Sequence, residues 1–246
     1  YVTQKQLLPV ANRPVIEYVL ENFREIGITE VGLVIGGNHP EKVREHFTDG
    51  FRGVDITFIP QGDPLGLAHA VECARGFVGN DPFIVYFGDT LISRHILENI
   101  VSIFNKSDCE AAIPFQEVDQ PSRFGIGEFE NGRLTRVYEK PEYPPSNLAY
   151  MGAVAFTSTL FDYIESLEPS DRGELELTDA IDDLVRREEV EWSRLEGLWK
   201  DVGTPEDLID SNRIKLGDIQ RKIAGEVSDG ADVTGPVQIG SNSVVE

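Results

Sequence analysis

The sequence predicts an α/β fold, a Rossmann-like sheet of parallel type with helices on both faces. Three observations lead there. Phe83-Ile84-Val85-Tyr86-Phe87 is an unbroken apolar run of β-branched and aromatic residues, the pattern of a strand covered on both sides. Segments with helical spacing alternate with further short apolar runs along the first half of the chain. Gly88-Asp89 then ends the central run, which puts a carboxylate at the carboxyl end of a strand, where open α/β sheets bind their ligands. Magnesium prefers one or two carboxylates plus phosphate oxygens, so Asp89 suits such an ion. Taken alone, the plainer reading of Asp89 is a cap for the helix that starts near Ser93, since a Gly-Asp pair after a strand is common.

The elements follow in order. Residues 1–14 form an extended, Pro-punctuated opening that begins inside a motif, so further residues are expected ahead of Tyr1. Pro14 suits the first turn of a helix that runs to about Ile26, with Val15, Val19, Leu20 and Phe23 as its apolar stripe. Glu30 to Ile35 reads as a strand, Glu41 to Phe47 as a helix and Asp55 to Ile59 as a strand. The Gly/Pro-rich loop from Pro60 to Gly66 leads into a helix from Leu67 to about Arg75, and free N–H groups at such a helix start offer a place for a nucleotide. No GxGxxG or Walker pattern is present. His69 reads as an ordinary residue of this helix.

Beyond Asp89, Ser93 to Phe104 is expected to be helical and Glu110 to Phe115 extended. Residues 123–129 and 133–141 alternate like strands around an Asn131-Gly132 hairpin turn. Tyr150 to Phe156 reads as one strand, and Leu177 to Arg187 as a helix with Thr178 as its cap. Trp192 to Leu195 reads as a strand, and a long polar helix extends from Pro205 to about Ile223. Val233, Ile239 and Val245 then recur at six-residue spacing, which suggests the first rungs of a left-handed β-helix that continues past Glu246. The expected division is a main domain over residues 1–224 and this appendage over 225–246.

Composition narrows the partners. The net charge is −21, from 43 acidic against 22 basic residues. Such a surface repels nucleic acid and anionic membranes, and no stretch approaches the roughly 20 apolar residues of a membrane span. Cys73 and Cys109 show no CxxC or Cys/His spacing; they read as buried thiols in a reducing, cytoplasmic compartment, without disulfide or zinc.

The motifs occur in an order that resembles the sugar-1-phosphate nucleotidylyltransferases. They are Lys5-Gln6-Leu7-Leu8-Pro9, Gln61 with Gly66, Gly88-Asp89, Arg123-Phe124-Gly125, Glu139-Lys140-Pro141, Gly152, Arg172 to Asp179, and Trp199-Lys200-Asp201-Val202-Gly203-Thr204-Pro205. The resemblance is strongest to the glucose-1-phosphate thymidylyltransferases that carry a C-terminal left-handed β-helix. Members of that family open on a strand and a Gly-rich loop of the form GGxGTRL, which this sequence does not contain. The resemblance implies a nucleotidyltransferase acting on dTTP, or alternatively UTP, with glucose 1-phosphate and Mg2+, and a homo-oligomer. Asp89 and Asp201 would hold the metal, and Lys5 would contact the nucleotide phosphates. Gln6 would bind substrate, while Gln61 and the backbone near Gly66 would read the pyrimidine. Gly125, Glu139 and Gly152 would line the sugar pocket, with Lys140 and Arg172 on the sugar phosphate. Each has a plainer alternative. Lys140 and Arg172 suit surface ion pairs, Glu139 suits a structural partner for Lys140, and Asp201 suits a cap for the helix after Pro205. A non-catalytic binding homologue, a glycosyltransferase, which would want a DxD pair, and an acyltransferase suggested by the hexapeptide tail remain open beside the resemblance.

The acid excess generates a first prediction, that of a protein suited to a salt-rich cytoplasm. Salt screens self-repulsion between exposed charges. The melting temperature is therefore expected to rise as potassium chloride goes from low to molar concentration. A flat profile in a thermal melt would refute this.

Overall fold

The computed structural model describes residues 4–246. The apolar stripe of the first helix forms as spaced: α1 (Val15–Glu25) buries Val15, Ile16, Val19, Leu20 and Phe23. Pro14 sits just ahead of it as the N-cap residue. Then come β1 (Glu30–Ile35), α2 (Pro40–His46) and β2 (Asp55–Pro60). The two strands pair in parallel from Glu30 with Asp55 to Ile35 with Pro60, as a helical crossover demands. After a loop, α3 (Leu67–Cys73) stops earlier than the sequence suggests and a separate short helix, α4 (Arg75–Val78), follows.

The central run becomes β3 (Phe83–Tyr86), and its side chains alternate between two apolar clusters. Phe83 and Val85 pack with Ala68 and Val71 of α3, and with the helices α6 and α7 introduced below. Ile84 and Tyr86 pack on the opposite face against Phe23 of α1 and against α5 (Arg94–Lys106), which buries Ile96, Leu97 and Ile100. Helices thus cover both faces. All four residues of β3 are half-buried and, with β1, line a cavity of about 1390 Å³. Between β3 and α5 lies β4 (Thr90–Ile92), so Asp89 does not cap that helix; Ser93 occupies the cap position.

Six more strands complete the framework: β5 (Ala111–Glu117), β6 (Gly125–Glu130), β7 (Arg133–Glu139), β8 (Leu148–Tyr150), β9 (Ala153–Phe156) and β10 (Val190–Arg194). The main sheet orders as β3-β9-β5-β8-β6-β7, with β10 on the other edge of β5. Its pairs are antiparallel except β5 with β10. This corrects the expected parallel sheet. Apolar runs reveal burial, whereas strand direction is set by partners far away in sequence. The expected strand from Tyr150 to Phe156 is also broken at Met151-Gly152, and both halves line the same edge of β5. Asn131 and Gly132 both adopt positive φ at the β6–β7 turn, as a two-residue hairpin requires.

Helix α6 (Leu160–Glu165) and helix α7 (Leu177–Arg186) close the first face. Glu176, not Thr178, is the N-cap of α7. The strand β11 (Trp199–Asp201) pairs with β4, and α8 (Pro205–Gly217) follows, stopping short of the expected Ile223. A Thr204–Asp207 capping box starts α8, so Asp201 is released from the capping role. In the tail, Lys222–Ile223 pairs in parallel with Gln238–Ile239, and Glu226–Val227 with Val244–Val245. Ile239 is buried there, whereas Val233 lies outside the strands. Cys73 and Cys109 are free and half-buried rather than buried, and burial pushes both thiols up. Among the described residues, no helix is long and apolar enough to cross a membrane.

Helix α7 is tied to β7 by one buried carboxylate. Asp182 accepts from Val137 N–H at 2.9 Å and from Arg136 Nε at 2.9 Å. Removing it orphans a buried backbone donor. Asp182→Ala is expected to lower stability by about 2–3 kcal/mol in denaturant unfolding; a loss under half of that would show the tie to be dispensable.

Candidate active site

Three strand ends converge. Asp89 follows β3, Asp201 ends β11, and Glu139 ends β7. The β4–β11 ladder sets Asp201 opposite Thr90, and Val202 N–H donates to the Asp89 carbonyl at 2.9 Å. Pairing of those two short strands therefore brings the two aspartates side by side across a wide gap in sequence. Thr90 Oγ1 donates to Asp201 Oδ1 at 2.7 Å. Burial pushes both carboxyls above their ordinary range. Lys5, from a short 3-10 turn at Lys5–Leu7, opposes that shift at Asp89. The negative charge of Asp89 adds to the shift at Asp201, while the Thr90 bond opposes it. The buried indole N–H of Trp199 makes no hydrogen bond at bonding distance but also favours the charged form of Asp201.

Glu139 gathers the expected cations. Its Oε1 lies 3.0 Å from Lys140 Nζ and 3.5 Å from Arg172 Nη1, and its Oε2 accepts from Thr178 Oγ1 at 2.6 Å. The structural ion pair weighed for Lys140 is thus formed in this state. Arg172 also reaches Glu176 at 3.2 Å and Glu174 at 3.7 Å. Tyr150 Oη is 3.2 Å from Thr178 Oγ1, and burial keeps its phenol protonated.

A cavity of about 240 Å³ unites most of these groups: Asp89, Asp201, Gly125, Glu139, Lys140 and Gly152 all line it. Arg172 joins through Glu139. The glycines are dictated by close approach. A Cβ on Gly125 would stand 2.1 Å from Tyr150 Cε1, and one on Gly152 2.9 Å from Phe87 Cδ2. Gln6 and Gln61 instead line the larger cavity, which shares Asp89 with the smaller one. Gln6 Oε1 is buried there without a partner among the described residues. Gly66 adopts φ +121°, and a Cβ on it would strike the Leu175 backbone at 2.5 Å. Sequence reasoning gave Thr178 only a capping role and assigned none to Tyr150, Arg123 or Trp199, all of which line the smaller cavity. Thr178, Arg123 and Trp199 sit inside quoted motifs and Tyr150 in an expected strand, but only tertiary packing shows which way they point.

The donor set fits magnesium. Asp89 and Asp201, both half-buried, and the Thr90 hydroxyl beside them offer oxygen alone. Among the described residues no group of three or more His, Cys, Asp or Glu is placed to hold a metal, so phosphate oxygens would have to complete the shell of an ion on this pair. The sequence profile described as nucleotidyl transferase matches residues 1–216.

The chain belongs to the nucleotidyl transferase family.

Within it, the chain is a sugar-1-phosphate nucleotidyltransferase by its relatives. It is 45% identical over 242 residues to the low-salt glycan biosynthesis nucleotidyltransferase Agl11 of Haloferax volcanii, covering 97% of this chain and 68% of that one. It is 39% identical to a glucose-1-phosphate thymidylyltransferase of Streptomyces antibioticus, covering 100% of this chain and 69% of the relative. A crystal structure from Bacillus anthracis, assigned as a glucose-1-phosphate thymidylyltransferase and complexed with sucrose, superposes with a TM-score of 0.79. It is 34% identical and covers 87% of both chains. The α/β architecture of this chain is therefore that of the sugar nucleotidyltransferases.

The raised carboxyls generate a prediction. A carboxyl with a raised folded-state pKa binds its proton more tightly when folded, so stability falls as pH rises from the ordinary carboxylate range through the raised value. The penalty is complete once the pH has passed the raised value. Asp89→Asn and Asp201→Asn are each expected to raise the melting temperature by a few degrees without metal. Magnesium chloride is expected to stabilise the native protein and neither variant. Equal stabilisation of all three in the same thermal melts would count against a metal at this pair.

Proposed function

We propose that the protein transfers a thymidylyl group from dTTP to glucose 1-phosphate and releases pyrophosphate. The observation that carries the reading is that one small cavity is lined by Asp89 and Asp201 together with Glu139 and its partner Lys140. The thymidylyltransferases among the relatives support the nucleotide and the sugar.

A sugar-phosphate oxygen attacks the α-phosphorus, a new P–O bond forms, and the bond to the bridging α–β oxygen breaks as pyrophosphate leaves. Both reactants are anions, so the chain's task is to position them and neutralise their charge. Lys140 and Arg172 are already close together on Glu139, and an incoming sugar phosphate would draw on both. Glu139 would then accept from sugar hydroxyls while Thr178 holds its other oxygen in place. Lys5 beside Asp89 would orient the triphosphate. Asp89 and Asp201 would hold magnesium, which supplies positive charge to the phosphate oxygens when bound.

Uracil and thymine share a hydrogen-bonding edge and differ by one methyl, worth about 1–3 kcal/mol of discrimination, so UTP is the natural competitor. The test is pyrophosphate release from glucose 1-phosphate, magnesium and either nucleotide, with the whole protein in molar potassium chloride. Release with dTTP is expected to exceed release with UTP, and Asp89→Asn and Asp201→Asn are each expected to lose at least about a hundredfold in kcat. A larger rate with UTP would make the protein a uridylyltransferase. Turnover of purine triphosphates alone would overturn both pyrimidine readings.

A further inference from the structure

His69 closes a ring of hydrogen bonds around Gln61. Gln61 Nε2 donates to the Gly66 carbonyl at 3.1 Å and lies 3.4 Å from His69 Nδ1. His69 Nε2 is 3.9 Å from Cys73 Sγ, and Cys73 Sγ donates to the Gln61 carbonyl at 3.8 Å. His69 and Cys73 stand one turn apart on α3, so a single helix face presents both partners. The Gln61 backbone is anchored separately, its N–H donating to Ile35 at the end of β1 at 2.9 Å.

The ring fixes which way the Gln61 amide points. A backbone carbonyl only accepts, so the side-chain atom facing Gly66 must be the NH2 group. Its second hydrogen then requires an acceptor at Nδ1, which puts the imidazole proton on Nε2, facing the sulfur. Both amide hydrogens are thereby committed, and Oε1 is left as a bare acceptor. It has no hydrogen-bond partner among the described residues. Oε1 points toward Gly36, where an added Cβ would stand 3.3 Å away, so the missing side chain keeps its approach open. Gly36 and Gln61 line the larger cavity together with Gly88 and Asp89.

We propose that His69 is a positioning residue for base selection: by holding the Gln61 amide in this orientation it makes the site demand a base with a donor on its pairing edge. The proposal rests on the nucleotidyl-transfer reading and on Gln61 facing the base. Uracil and thymine present N3–H to such an acceptor, whereas cytosine presents an unprotonated N3. Without the acceptor at Nδ1 the amide keeps only the Gly66 carbonyl as a restraint, so turning it to offer NH2 to cytosine costs less.

The experiment measures kcat and KM for UTP, dTTP and CTP by pyrophosphate release, using glucose 1-phosphate and the whole protein. The native protein is expected to favour UTP over CTP by about a hundredfold or more in kcat/KM. His69→Leu is expected to raise KM for UTP about tenfold, leave kcat within about twofold and shrink the UTP to CTP preference about tenfold. His69→Asn places an oxygen near the position of Nδ1 and is expected to retain the preference. In a Gln61→Met background, His69→Leu is expected to cause no further change, because the effect runs through Gln61 alone. If the leucine variant does not fold, His69→Phe keeps the ring volume without the acceptor and reads the same ratio. An unchanged preference in the folded acceptor-less variant, or equal losses in His69→Leu and His69→Asn, overturns the role of His69 while the activity stands. No turnover of any pyrimidine triphosphate by the native protein would instead remove the reading of the whole site.

Discussion

Two like charges held together in a desolvated cleft are the constraint on which the site depends. Asp89 and Asp201 each lose water on folding, and each is harder to ionise for it. Left to themselves, such groups would separate or take up protons. They stay together because neither is placed by its own preference. Asp89 is fixed by β3, whose side chains are anchored alternately in the clusters on both faces of the sheet. Asp201 is fixed by a short ladder with β4. The folding free energy of those clusters offsets the cost at the carboxylates, and a cation arriving between them would remove it.

The same logic governs the positive charges. In a chain with 43 acids and 22 bases, a cation without an acidic partner is scarce. Arg13, Arg24 and Arg52 all converge on Glu21, whose carboxyl their charge holds below its usual range despite some burial. Lys200 and Arg123 lie on Asp207. Against that background the Glu139 cluster gathers two cations on one carboxylate: Lys140 borders the smaller cavity, and Arg172 is spread over three acids. Ion pairs of this exposed kind are individually weak. That weakness suits a site whose cations must change partners when a phosphate enters.

Much of this was legible in the sequence, and what was not has identifiable causes. The apolar run from Phe83 read correctly as a strand, because an unbroken run of strand-forming residues ended by Gly88 is a local signal. The Asn131-Gly132 turn read correctly for the same reason. Strand direction did not, because β3 finds its partner in β9, far along the chain. The rival caps were decided by neighbours: Thr204 and Asp207 satisfy each other at the start of α8, which leaves Asp201 to the site. Thr178 looked like a cap by residue type, yet Glu139 offers its hydroxyl a better partner. His69 looked ordinary because Gln61 identifies itself as its partner only when α3 packs beside the end of β2.

The two ends of the site solve different physical problems. Phosphates need charge, which acts over several ångströms and tolerates movement, so flexible lysines and arginines suffice there. Sugar and base need direction, which hydrogen bonds supply only when their donors cannot turn. Direction is secured from behind. At the sugar end, the bare Cα of Gly125 admits the ring of Tyr150, whose hydroxyl meets Thr178, which in turn holds Glu139. Any side chain at Gly125 must displace that ring and so disturb Glu139 without touching a ligand. At the base end, Gly66 fits against the Leu175 backbone and so places the carbonyl that fixes Gln61. Both glycines therefore act through a chain of contacts that ends on the side chain proposed to meet the substrate, which is why residue type alone identifies them as site positions but not what they do there.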